Sequence, residues 1–175
     1  MTSSDTLIYE KEILVFGCGN TLFGNDGFGP EVITWLTAHN VMPDNVLALD
    51  AGTGIRDFIF DLLLMEKKPD MILIIDAVTV YDREQGELLE IDLFKLPGEK
   101  MADFSLHQAP CSSLLSQLRD QGVSIRILGM HTASIPNEIN PGLCPAAAKA
   151  IPKACDWIMH TILPLNPVEE IAPCR

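Results

Sequence analysis

Two aspartates and a histidine carry the chemistry that this sequence offers. Asp26 stands in a glycine-rich loop, Gly17-Cys18-Gly19-Asn20-Thr21-Leu22-Phe23-Gly24-Asn25-Asp26-Gly27, that follows an apolar segment and precedes a helix. Asp76 closes the most apolar segment of the chain, 71–76. His107 lies in Phe104-Ser105-Leu106-His107-Gln108, where Ser105 and Gln108 have capping-box spacing and Pro110 forces any helix to begin nearby. The dipole at a helix N-terminus disfavours imidazolium, and neutral imidazole is the form that ligates metal. Two carboxylates and an imidazole make an O,O,N set that suits a borderline divalent metal such as nickel or zinc.

Each residue also has a structural reading. Asp is a favoured helix cap, which would account for Asp26, although so many glycines around it argue for a close backbone approach. Asp76, and Asp50 at the end of 45–50, can simply accept bonds from loop amides; a carboxylate that ends a buried strand needs some such partner. His107 can be a capping histidine. His131, just past the segment 124–129, is a weaker candidate than His107, and His39 and His160 read as helix-surface residues. Cys18 and Cys111 lie near the candidate site, and the commoner role of such residues is that of a small buried hydrophobe.

Other chemistries fail on particular residues. A dinucleotide fingerprint GxGxxG needs glycine where Leu22 stands. A phosphate loop would pair Gly19 with Gly24 but continues Asn25-Asp26, which puts a carboxylate where phosphate needs a cation. Neither HExxH nor GxSxG occurs. The net charge, 12 − 24 = −12, and the lack of any Lys/Arg run disfavour nucleic acid and anionic membrane surfaces. No run of about 18 apolar residues is present, and the first residues do not read as a signal peptide. Five cysteines without a CxxC indicate neither a disulfide framework nor a thiolate zinc site, and fit a reducing cytoplasm.

The elements that would position these residues alternate. Apolar, β-rich segments at 12–17, 45–50 and 71–76, an alternating edge segment at 87–93, and 124–129 read as five strands. Helices are expected from Pro30, over about 55–67, from about 107 to 121, and near 144–163. Loops fall at 94–105 and 130–143. The pattern predicts one α/β domain over 1–175: a three-layer sandwich with a mostly parallel, twisted five-stranded sheet and helices on both faces. The last dozen residues, from Pro164, carry three prolines and read as a loosely held tail. Parallel sheets bind ligands beyond the carboxyl ends of their strands, where Asp26 and Asp76 fall.

Taken in order, Gly17-x-Gly19-Asn20, Gly24-Asn25-Asp26-Gly27-x-Gly29-Pro30, Asp50-Ala51-Gly52-Thr53, Ile75-Asp76-Ala77 and His107-Gln108 resemble the hydrogenase maturation endopeptidases over roughly residues 12–160. The loop around Asp26 leans towards the archaeal type that serves the coenzyme F-420-reducing hydrogenase. The resemblance implies an endopeptidase that makes one cut near the C-terminus of a nickel–iron hydrogenase large-subunit precursor, after nickel insertion. It places Asp26, Asp76 and His107 on the family's three metal-contacting positions. The nickel is then carried by the substrate, and another divalent metal in the isolated protein is also allowed. A monomer is expected. A site without sulfur suits an enzyme that inspects nickel and leaves it behind. One departure is Gly129-Met130-His131-Thr132, where proline comes only at Pro136 and the loop is longer than the family usually has. A non-catalytic nickel-sensing chaperone of the same precursor is the alternative, and a nucleotide-binding protein is disfavoured by Leu22 and Asp26.

Overall fold

The computed structural model describes residues 10–92 and 112–163. Strand β1, Ile13–Cys18, is buried at every position. A 3-10 turn at Gly24–Gly27 leads into α1, Phe28–His39; β2 (Val46–Gly52), α2 (Ile55–Leu64), β3 (Met71–Val78) and β4 (Leu88–Ile91) follow. The chain then gives α3 (Ser112–Asp120), β5 (Ser124–His131) and α4 (Pro145–Ile162). The sheet order is β2-β1-β3-β5-β4. All neighbours are parallel except β4, which runs antiparallel to β5 at the edge. The expected architecture is therefore observed.

Side chains alternate across the sheet with the two-residue period of a strand. Ile13, Val15, Leu73, Ile75 and Ala77 face α1 and α4, where Val32, Leu36, Ala150, Ala154 and Ile158 cover them. Leu14, Phe16, Cys18, Ile72, Ile74 and Val78 face α2 and α3, under Ile55, Ile59, Leu62, Leu115 and Leu118. Burial on both faces is why β1 and β3 read as unbroken apolar runs.

Several boundaries differ from expectation. β3 and β5 each continue two residues further, because they pair with one another through Asp76–Gly129, Ala77–Met130 and Val78–His131. Asp76 therefore lies within β3 and does not end it. β2 continues to Gly52, and α2 stops at Leu64. α1 starts at Phe28, two residues before Pro30, which sits in the first turn, where a missing N–H costs no helical bond. The expected loop at 94–105, the start of the helix expected at 107–121, and the tail from Pro164 lie wholly or largely outside the described residues. Among the described residues no helix is long and apolar enough to cross a membrane.

The chain leaves β1 for β2 on one side and returns to β3 on the other. That reversal opens a crevice between the carboxyl ends of β1 and β3, the position where sheets of this kind bind ligands.

Candidate active site at the β1/β3 crevice

The loop after β1 folds back upon itself. Gly19 N–H donates to Gly52 O (2.9 Å), Phe23 N–H to Asn20 O (3.0 Å) and Asp26 N–H to Phe23 O (3.2 Å). Asn20 Oδ1 accepts from Leu22 N–H at 3.0 Å, and Asn20 N–H donates to Asp26 Oδ2 at 2.8 Å. Asp26 is only 4% exposed. It does not cap α1: the cap position is Gly27, and no side chain bonds there. The helix-cap reading of Asp26 is therefore corrected, since its carboxylate turns inward to its own loop.

Glycine at 29 lets this loop reach the strand ends. A Cβ there would lie 2.3 Å from Cys18 O and 2.5 Å from Ile75 O, so the start of α1 presses onto β1 and β3 together. The turn bearing Asp26 packs against β3, which bears Asp76. Asp76 has no exposed surface, and its Oδ1 accepts from Ala77 N–H at 2.8 Å. Its partner on β5 is Gly129, while β1 pairs with β3 only as far as Ile75. Asp76 thus stands one residue beyond the last rung towards β1. By strand alternation it belongs to the face that α2 and α3 cover. Two buried carboxylates therefore lie near the carboxyl ends of β1 and β3, each with a backbone amide on one oxygen.

His107, Gln108 and Cys111 lie outside the described residues. Among those described, no three His, Cys, Asp or Glu side chains group to hold a metal ion. The two aspartates fit such an ion by chemistry, as hard, buried oxygen donors, and the third expected ligand falls outside the described range.

The remaining candidates make contacts within the fold. His131 is on β5 and not past it; it is 6% exposed, and its Nδ1 accepts from Val80 N–H at 3.2 Å. The added length of β5 makes it the last residue of that strand and buries it. Asp50 is exposed and accepts from Gly52 N–H at 2.8 Å, which shapes the turn after β2. Cys18 is buried in the α2/α3 core. His39 stacks on Trp35 at 4.1 Å, and His160 Nδ1 lies 2.7 Å from Asp156 O, both on helix surfaces.

A second polar group escaped the sequence reading. Asn25 Nδ2 donates to Thr132 Oγ1 (3.0 Å), and Asn25 Oδ1 accepts from Cys144 N–H (2.9 Å). Gln85 Nε2 also donates to Thr132 Oγ1, at 3.3 Å. Cys144 caps α4, with Sγ accepting from Ala147 N–H at 3.5 Å. Partial burial pushes its thiol up, but the Ala147 and Ala146 amides and the Asn25 and Gln85 side chains outweigh this and hold it below the ordinary thiol range. These residues are far apart in sequence and lie in loops without periodicity. The one available signal was Asn25 beside Asp26. The backbone joins the same two loops: Gly24 N–H donates to Asn140 O, and Asn140 N–H to Leu22 O, both at 2.9 Å.

The fold is α/β, with two buried aspartates near the switch point of its sheet. Residues 30–161 match the model of a family described as hydrogenase maturation protease. A Methanocaldococcus jannaschii relative that bears the family name is 36% identical over 154 residues, 87% of this chain and 97% of its own. The protein named Coenzyme F-420 hydrogenase subunit delta in Methanothermobacter thermautotrophicus is 38% identical, over 88% of this chain and 96% of its own. Among solved structures, a hydrogenase maturating endopeptidase from Escherichia coli superposes with a TM-score of 0.69 at 25% identity, covering 89% of this chain and 94% of that one. This chain belongs to the hydrogenase maturation protease family, and is a peptide-bond hydrolase of that kind.

Proposed function

We propose that this protein removes the C-terminal extension of a nickel–iron hydrogenase large-subunit precursor after nickel has been inserted, and that Asp26, Asp76 and His107 read the nickel centre. The observation that carries this reading is the burial of two carboxylates near the carboxyl ends of β1 and β3, on a turn and a strand that pack together, in a member of this family. The substrate's nickel supplies the Lewis acid that polarises the scissile carbonyl or activates water. The chain contributes oxygen ligands held in place by backbone amides, and Asp26 or Asp76 serves as general base. Oxygen and nitrogen donors without thiolate hold nickel loosely enough for it to stay with the product. The 38% identity to a coenzyme F-420 hydrogenase subunit of Methanothermobacter thermautotrophicus supports an F-420-reducing hydrogenase as the partner and an archaeal setting; the cytoplasmic location and the monomer are carried over from the sequence as part of this proposal.

The test is the intact mass of nickel-loaded precursor incubated with and without the protein. A discrete C-terminal loss that needs nickel and vanishes with Asp76→Asn is expected. An unchanged mass together with a stable complex would replace this reading with a non-catalytic nickel-sensing chaperone of the same precursor. An unchanged mass and no complex would reject both.

A further inference from the structure

We propose that Asn25 is a positioning residue: its side-chain amide, clamped between Thr132 and Cys144, fixes the loop that presents the Asp26 carboxylate. The inference rests on the reading of Asp26 given above. Thr132 is fully buried at the end of β5, and its hydroxyl is saturated. Its proton goes to Ser134 O (3.0 Å), and its oxygen accepts from Asn25 Nδ2 (3.0 Å) and from Gln85 Nε2 (3.3 Å). A hydroxyl has one proton and two lone pairs, so nothing is left over. The Asn25 amide can therefore offer Thr132 only its NH2, and its oxygen must take the Cys144 amide, which has a proton to give. One orientation satisfies both ends. The clamp is anchored further by Gln85 Oε1, which accepts from Ala133 N–H at 3.0 Å, and by Thr79 Oγ1, which donates to Thr132 O at 3.0 Å.

This specifies an amide at position 25. A carboxylate there would keep the Cys144 bond but have no proton for Thr132, whose own proton goes to Ser134 O, and would add a negative charge beside Asp26. The link to Asp26 is direct in sequence and in bonding. Asn25 and Asp26 are adjacent in the same 3-10 turn, and Asp26 Oδ2 accepts from Asn20 N–H at 2.8 Å across the loop. Asn20 N–H is therefore a reporter of where the Asp26 carboxylate stands, without reference to activity.

Four variants test this: Asn25→Ala, Asn25→Asp, Thr132→Val and Thr132→Ser, with Asp26→Asn as reference. Two readouts are taken on each. Amide hydrogen exchange at Asn20 should accelerate roughly three- to tenfold in Asn25→Ala, Asn25→Asp and Thr132→Val, the factor one hydrogen bond of ordinary net strength corresponds to, while exchange in β3 stays as in the parent. Cleavage of nickel-loaded precursor should lose on the order of 100-fold in kcat with KM little changed, as expected when a reacting group is misplaced and not removed from binding. Thr132→Ser keeps the hydroxyl and should recover most of what Thr132→Val loses. The Asn25→Ala/Thr132→Val double variant should lose less than the product of the two single losses, because both cut the shared Asn25–Thr132 bond. Unchanged Asn20 exchange and wild-type kcat in Asn25→Ala, with Asp26→Asn inactive, would overturn the positioning role and leave the site intact. Full activity in Asp26→Asn would overturn the reading of Asp26 itself, and the positioning role with it.

Discussion

Gly19 presses its α-carbon onto the backbone of Asp26: a methyl group built on Gly19 would lie 1.8 Å from the Asp26 carbonyl oxygen. Gly19 also holds φ +122°, a conformation that residues with a Cβ rarely adopt. The loop that carries the first carboxylate is thus shaped by a residue seven positions earlier. Gly19→Ala should displace Asp26 and cost about 1–3 kcal/mol of stability, with a larger proportional loss of cleavage. Gly122→Ala is the comparison. It has φ +95° but nothing within 4 Å of the added methyl, so it should cost about 1–2 kcal/mol through the backbone alone and leave cleavage unaffected at a temperature where the protein is folded. Thermal melting and precursor cleavage, run side by side, distinguish the two.

Asp76→Asn removes charge but nearly preserves shape. The amide oxygen can still accept from Ala77 N–H, so the fold should persist with a stability change of about 1 kcal/mol. Cleavage should fall on the order of 10²–10⁴-fold if Asp76 ligates nickel or moves a proton. Circular dichroism together with intact-mass kinetics reads both quantities. Cleavage at the parent rate would confine Asp76 to a structural role.

Arg126 ties the antiparallel edge to the sheet. Its guanidinium makes two bonds to Glu90, at 2.6 and 2.8 Å, lies 4.7 Å from the Trp157 ring centroid and donates to Thr161 Oγ1 at 3.1 Å. The Arg126 hydrogen bond holds the Glu90 carboxyl below the ordinary glutamate range, against its partial burial. A carboxyl with a lowered folded pKa stabilises the protein above its unfolded pKa, and that contribution is lost as pH falls through the folded value. Both side chains are over a third exposed, so the pair contributes at most about 1 kcal/mol. The stability difference between Glu90→Gln and the parent should therefore be small at neutral pH and shrink further below the ordinary glutamate range. Melting temperatures over a pH series check this, and a difference that grows on acidification would contradict it.

Cys144 and Cys155 should react very differently. The Cys144 thiol, half-buried at the N-terminus of α4, is held below the ordinary range by amide donors. Cys155 is buried in the core, and burial, with Asp156 nearby, pushes its thiol up to about 12. Alkylation of the folded protein near pH 8 should label Cys144 well before Cys155, and peptide mapping over time measures the ratio. Labelling Cys144 should also slow precursor cleavage, because Asn25 depends on the same turn for its bond to Cys144 N–H. Equal labelling rates would show that the cap does not activate the thiol.

The apolar runs of β1 and β3, the alternation of β4 and the helical spacing in α1 and α2 were all legible in the sequence. Periodicity is a local property, and a sheet covered on both faces leaves it nearly undisturbed. Asp26 and Asp76 stood out as candidates for a related reason: each is a carboxylate close to the carboxyl end of an apolar run, and a parallel sheet gathers such ends at one edge. The charge balance and the ordered motifs that point to the family are likewise written in the chain itself.

Tertiary structure alone decided the rest. Pairing between β3 and β5 extended both strands, placing Asp76 inside β3 and drawing His131 into the core, because a strand ends where its neighbour stops pairing and not at its first polar residue. The cap of α1 went to Gly27 and not to Asp26, since the Asn20 amide offered that carboxylate a partner within the loop. Asn25 met Thr132 and Cys144 across separations of 107 and 119 residues. Contacts of that span leave no periodic trace in a sequence. They arise when unrelated loops are brought to one end of a sheet and each buried donor there must find an acceptor.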